Sequence, residues 1–184
     1  MKPLHIEFSQ EDEEWINNYV DLLSREFFGK PYKPKSTLGF EDLEDSVGGY
    51  TQSQCSLKDG CKTRKIVLNR KLQEMIKFKE YVAAIHEKTH EAMINAYPYL
   101  PLVWDVPLIE GFTVYVDIEK AFRDGRPDIG MLYYEELSPE YKAWYHLIKK
   151  IDEELKKKGS SIEEAAKYYN EYAKKFFESY CSNN

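Results

Sequence analysis

The sequence predicts a mainly helical α+β fold, and three observations carry that prediction. Apolar residues recur at helical spacing over most of the 184-residue chain. Two short pieces, "VGGYTQSQ" and "TRKIVLN", flank the cysteine loop "CSLKDGC" and read as a small antiparallel sheet or hairpin. Serine, proline and glycine stand where helices start and stop. The length favours one domain, 1–184, divided into an N-terminal helix and loop (1–46), a central segment (47–125) and a C-terminal helical hairpin (126–184).

Each element has its own signal. Ser9 is an N-cap, and acidic residues 11–14 fill the first turn, where the helix dipole favours them. Trp15, Ile16, Tyr19, Val20, Leu22, Leu23 and Phe27 continue that helix until Gly29 and Pro31 end it. Residues 30–47, with Pro31, Pro34 and Gly39, read as loop. Asn69 can cap the segment after the second strand. Leu72, Met75, Ile76, Val82, Ile85, Thr89 and Met93 then mark one long helix over 70–96, or two joined near Phe78–Glu80. Pro98 and Pro101 stop it, and Pro107 suits the first position of a helix running to about Arg123. Ser138-Pro139 opens the first C-terminal helix, and Gly159 closes it. Ser161 with Glu164 spells a capping box for the last one. The expected inner faces of this pair are Tyr141, Trp144, Tyr145, Ile148, Ile151 and Leu155, then Ala165, Tyr168, Tyr169, Tyr172 and Phe176.

Composition excludes little but points in one direction. The net charge is -6 with no concentrated basic segment, which argues against nucleic acid. No apolar run approaches the ~18–20 residues that span a bilayer, so no membrane partner is expected. The N-terminus turns acidic at once and does not read as a signal peptide, so a cytoplasmic protein is expected. Cys55 and Cys61 flank the Asp59-Gly60 turn and are either paired or free; with Cys181 the count is odd.

The chemistry centres on "AAIHEKTHEAM". On a helix, His86 and His90 share one face, with Cβ atoms ~5–6 Å apart, and can grip one ion. Glu87 lies about 100° round the helix and can reach a water beside that ion without binding the ion itself. This is the H-E-x-x-H pattern of zinc peptidases. The longer version of the pattern is missing, because Met93 and Ala96 occupy its glycine and third-histidine positions. A carboxylate is then the better third ligand, and Glu110 in "VPLIEGFTVYV" stands 20 residues beyond His90. The proline-broken loop 97–106 is long enough to fold its helix back, and Gly111 leaves room for close approach.

"HEKTH" followed at this distance by "EGFTVY" resembles the gluzincin metallopeptidases, and the chain is closer in scale to their small single-domain members. "GGY…IVLN" looks like the edge strand and its neighbour that precede the active-site helix. The resemblance covers residues 47–123 and implies a zincin-like core with an active-site helix and a glutamate helix. It implies Zn2+ on His86, His90 and Glu110, Glu87 as general base, and peptide-bond hydrolysis by an endopeptidase or oligopeptidase. It suggests a tyrosine or histidine after Glu110 to stabilise the tetrahedral intermediate; Tyr133 and Tyr134 are favoured over His146. Thermolysin-like members carry an aspartate four residues after the glutamate ligand. Here that position is Val114, so the partner of a ligand histidine is sought among Asp117, Glu119 and backbone carbonyls. A peptide or unfolded-protein substrate would lie along the candidate edge Gly48, Gly49, Tyr50 and Thr51. Two other readings stand beside this one. The first is a zinc-binding scaffold with regulatory or interaction function and little or latent proteolysis, self-associating through its C-terminal helices. The second is a helical protein with a structural metal or none.

Overall fold

The computed structural model describes residues 8–74 and 77–184. Its first helix, α1 (Gln10–Phe27), starts at Ser9, whose side chain accepts from the Asp12 amide while Asp12 returns a bond to the Ser9 amide. Ile16, Val20, Leu23 and Phe27 form its buried stripe, one turn apart. Trp15 and Leu22, which share the helix's apolar periodicity, are exposed.

The segment expected to be loop contains a strand. β1 (Thr37–Glu41) runs parallel to β3 (Gly60–Asn69), with Thr37 opposite Lys65 and Glu41 opposite Asn69. β2 (Gly49–Ser56) pairs antiparallel with the other side of β3, so the sheet order is β1-β3-β2. The expected hairpin is therefore two-thirds of a mixed sheet. β1 is held in place by a distant carboxylate. Fully buried Glu91 accepts from the amides of Lys35 and Ser36 and from the hydroxyls of Ser36 and Tyr32. Cys55 and Cys61 form a disulfide at the hairpin tip. The tip docks on the following loop: the Cys61 amide donates to Pro98 O, and the Tyr99 hydroxyl to Lys58 O.

After β3 a short 3-10 turn (Arg70–Glu74) precedes α2 (Lys77–Ala96). Asn69 caps the turn by accepting from the Lys71 amide. Met75 and Ile76 lie outside the described residues. α3 (Val106–Arg123) begins at Asp105, which accepts from the Leu108 amide, with Pro107 in the first turn. α3 folds back beside α2. Its closest approach, however, is to α5 (Pro139–Lys157): a Cβ on Gly111 would lie 2.7 Å from the Trp144 carbonyl oxygen. The glycine thus serves the α3–α5 contact, not the α2–α3 contact expected from sequence.

Two further findings revise the C-terminal expectation. A helix absent from that reading, α4 (Pro127–Glu136), intervenes and carries Tyr133 and Tyr134. In α6 (Ile162–Ser182) the buried residues are Ile162, Ala166, Asn170 and Ala173, and the aromatic residues expected inside are exposed. The physical reason is space. α6 sits close to the body at Ala166 and Ala173, and the Asn170 carboxamide accepts from the Tyr99 amide. The capping box is half formed, because Ser161 accepts from the Glu164 amide while the Glu164 carboxylate takes the Ser160 hydroxyl. One hydrophobic cluster draws residues from all six helices and β3. No helix among the described residues is long and apolar enough to cross a membrane.

Candidate metal centre

The α2 segment that carries the motif is buried on nearly every side, from Ala84 to Met93. Charged residues are buried there too. Lys88 is 1% exposed and meets Glu13 of α1, while Glu91 secures β1. The helix is thus clamped in rotation by α1 on one side and the sheet on the other, and His86 and His90 point toward α3.

There the three expected ligands meet. His86 Nε2 lies 3.0 Å from Glu110 Oε2, and His90 Nε2 lies 2.9 Å from the same oxygen. The two Nε2 atoms are 3.1 Å apart. Among the described residues this is the His/Cys/Asp/Glu group whose ligand atoms converge as a metal site requires.

The protons around the triangle can be assigned by counting donors. The Thr113 hydroxyl donates its one hydrogen to Ile109 O at 2.8 Å, so its oxygen accepts from His90 Nδ1 at 3.2 Å. His90 therefore carries its proton on Nδ1 and presents the Nε2 lone pair to the triangle. Asp117 Oδ2 lies 3.8 Å from His86 Nδ1, beyond a good hydrogen bond but close enough for its charge to favour a proton there. Asp117 is itself fixed, accepting from Thr89 Oγ1 and from the Tyr133 hydroxyl, each at 2.6 Å. With both Nδ1 atoms protonated, two nitrogen lone pairs and a carboxylate oxygen face one another at about van der Waals distance or less. Such a group needs a cation between its members or a proton on one of them.

The electrostatics point the same way. Burial alone would lower the His86 pKa, but Asp117, Glu110 and Glu87 outweigh it and raise it well above the usual value. Burial pushes the Glu110 carboxyl up; the two imidazoles more than reverse this and hold it far below the ordinary carboxylate range. The site is built to stabilise positive charge. The spacing also fits. Ligand atoms at ~2.0–2.1 Å in tetrahedral geometry are roughly 3.3–3.4 Å apart, and the observed triangle is that figure slightly contracted. Two nitrogens and one oxygen suit zinc and neighbouring transition ions better than calcium, which takes six to eight oxygens.

Beside the triangle runs a groove of about 450 Å³, whose lining includes His86, Glu87, Gly48, Gly49, Tyr133 and Tyr141. Glu87 is 6% exposed, and its Oε2 accepts from Thr51 Oγ1 at 2.6 Å. The Thr51 hydroxyl also lies 3.0 Å from the Glu87 carbonyl oxygen. β2 can lie this close because Gly49 has no side chain: a Cβ there would sit 3.3 Å from Glu87 Cγ and 2.7 Å from Val67 O. β2 is an edge strand, as the sequence reading expected of residues 48–54. Tyr50 points to the other face of the sheet, where its hydroxyl meets Glu41 and Lys65 lies over its ring.

The two tyrosines favoured from sequence are placed differently. Tyr133 spends its hydroxyl on Asp117, behind His86. Tyr134 pairs with His146 Nε2 at 2.8 Å. The residue the sequence reading missed is Tyr141, which the helical pattern assigns to packing. Its ring stands edge-on to His86 with centroids 5.8 Å apart. Burial first, then the Glu110 and Glu87 carboxylates, raise its pKa, so the phenol keeps its proton at neutral pH. The proline that opens α5 and the short turn after α4 deliver Tyr141 to the groove. No signal in the sequence announces α4 strongly enough to predict that geometry. Tyr115 donates to Asp152 at 2.7 Å inside the α3–α5 contact. Compared with protein-family models, curated proteins and solved structures, the chain matches none of them.

Proposed function

We propose that the chain is a zinc-dependent peptidase whose ion is held by His86, His90 and Glu110. The observation that carries the reading is the convergence of three lone-pair donors, at 2.9–3.1 Å, beside a buried carboxylate, Glu87, that stands outside the group. A bound divalent ion would supply Lewis acidity, making a water acidic enough to lose a proton near neutral pH and polarising a carbonyl.

The chain's own groups do the rest. Glu87, held by Thr51, takes the proton of the attacking water and passes it to the leaving amine. Tyr141, kept protonated, donates a hydrogen bond to the oxyanion that develops on the substrate carbonyl. Tyr133 acts at one remove: through Asp117 it orients His86. Gly48 and Gly49 leave the edge of β2 open beside Glu87, so an extended peptide can add as a further strand and lay its carbonyl across the site. The resemblance to small gluzincins agrees with this assignment of roles, with Tyr141 replacing Tyr133 or Tyr134.

The test is direct. Protein prepared with zinc is assayed for metal by elemental analysis and for cleavage of denatured casein with and without chelator. The expected result is about one zinc per chain and chelator-sensitive cleavage. Glu87→Gln is expected to keep the zinc and lose the cleavage. Zinc absent from the purified protein, or a Glu87→Gln variant that cleaves as fast as the parent, overturns the proposal.

A further inference from the structure

The outer face of α6 is a row of aromatic rings in water. Tyr168, Tyr172, Phe176 and Tyr180 recur every four residues and are 52–62% exposed, with Tyr169 beside them at 47%. Four residues advance an ideal helix by 400°, so the row winds slowly round the axis and stays on one side. The face that holds α6 to the body lies elsewhere and ends early: no residue after Ala173 is buried. The last turns of the helix, with Phe176 and Tyr180, therefore extend their rings beyond the body's cover.

We propose that this face pairs with the same face of a second copy of the chain, with the two α6 helices antiparallel. Two observations choose this occupant. The first is charge. Glu163 is taken up by Arg123 of α3; the remaining charges up to Ala173 are Glu164 and Glu171 against Lys167, and beyond it come Lys174 and Lys175 against Glu178. An antiparallel pair sets the acidic half of one copy on the basic half of the other, whereas a parallel pair sets like on like. On a helical wheel Glu171 and Lys175 flank the aromatic row on one side, so a twofold axis near Ala173 brings Glu171 of one copy opposite Lys175 of the other, twice.

The second observation is area. Five aromatic side chains about half exposed, at roughly 200 Å² each when free, offer about 500 Å² per copy, or about 1,000 Å² for the pair. That reaches the lower limit of specific interfaces, on the order of 1,000–1,200 Å², before any flanking atoms are counted. A membrane surface fits less well. Surface-lying helices carry Lys and Arg on their polar face, while α6 has four glutamates and three lysines on a chain of net charge -6.

The experiment uses the full chain with its zinc in place. Sedimentation velocity over the micromolar range is expected to show a species of about twice the 21.7 kDa chain mass. Phe176→Glu and Tyr172→Glu, both on the exposed face, are expected to weaken self-association at least tenfold. Circular dichroism and zinc content should stay at parental values, which separates this outcome from failure of the proposed metal site. Glu171→Lys and Lys175→Glu are each expected to weaken the dimer, and the double variant to restore it. In a Cys181→Ser background, Tyr172→Cys is expected to cross-link two copies on mild oxidation. Tyr180→Cys is not, because seven residues from the axis on each side, at about 1.5 Å per residue, separate the two sulfurs by roughly 20 Å. A monomer at high micromolar concentration overturns the proposal. So does equal cross-linking at both positions, or a monomer that floats with phosphatidylcholine–phosphatidylserine vesicles.

Discussion

Asp117→Asn tests whether the proposed metal centre is held from behind. The carboxylate is 2% exposed and accepts two hydroxyl hydrogens, from Thr89 and Tyr133, at 2.6 Å each. Its Oδ2 also faces His86 Nδ1 at 3.8 Å. At an effective dielectric constant of ~20, a full charge pair at that distance is worth about 4 kcal/mol. An imidazole on a metal ion carries only part of a unit charge, so a third to two-thirds of that figure applies, about 1.4–2.7 kcal/mol. This corresponds to a 10- to 100-fold loss of zinc affinity, the range seen when such outer carboxylates are removed elsewhere. The substitution has a second effect. An asparagine offers one acceptor and one donor group where Asp117 offers two acceptors, so Thr89 or Tyr133 must turn its hydroxyl round or go unpaired, at roughly 1–2 kcal/mol of fold stability. A competition titration against a chromophoric chelator measures the first effect, and urea unfolding in excess chelator the second. Tyr133→Phe removes one donor and no charge, and should lower zinc affinity only a few-fold. If Asp117→Asn binds zinc within threefold of the parent, the charge behind His86 does not help to hold the ion, and that part of the site has been misread.

Three other contacts can each be tested by one change. Tyr141→Phe should lower kcat for peptide cleavage by roughly 10²–10³ with little change in KM or zinc content, since one oxyanion donor is worth that much; steady-state kinetics with a fluorogenic peptide decide it, and an unchanged kcat removes Tyr141 from the mechanism. Burial pushes the Asp152 carboxyl up, but Lys156, the Tyr115 hydroxyl and the Ile162 amide outweigh it and hold its pKa below the ordinary value. Its contribution to stability is therefore complete above the unfolded value of about 3.9 and is lost as pH falls through the lower folded value. Asp152→Asn should flatten the acid limb of stability between about pH 5 and pH 2, measured by urea unfolding in chelator so that metal release plays no part. Reducing the Cys55–Cys61 bond opens a short loop and should cost about 2 kcal/mol of stability, read as a shift in urea midpoint with and without reductant.

What was legible in the sequence was local. The caps at Ser9, Ser138 and Ser161 and the Pro107 start are settled within one or two turns of chain, and each is found in the fold. β1 was not legible, because nothing near Thr37–Glu41 makes it a strand. It is five residues long, has a glycine at its centre, and is held by Glu91, more than fifty residues away. The burial of Lys88 and Glu91 was illegible for a related reason: a charged side chain stays buried only beside a partner, and nothing within α2 supplies one. Their partners, Glu13 and the 32–36 segment, come from other parts of the chain.

The aromatic residues show where pattern reading fails in kind. Periodicity finds a stripe but does not say which stripe is covered. On α5 the aromatic stripe faces inward at Tyr145 and reaches the groove at Tyr141. On α6 the inward stripe is Ile162, Ala166, Asn170 and Ala173, with no ring among them, and the rings face out. The difference lies in what each helix meets. α5 crosses α3 at Gly111, where the missing side chain brings the backbones together and lets rings fill the space on either side. α6 lies against the turn at Leu100–Leu102 and must come near enough for Asn170 to accept from the Tyr99 amide, which bulky residues on that side would prevent. That same demand pushes the rings of α6 into solvent. The clustering of His86, His90 and Glu110 was legible because two of them stand one turn apart on α2 and the group needs only one more carboxylate. Tyr141 was not, because its place depends on α4 and on which helix packs at Gly111, and neither can be read from the motif.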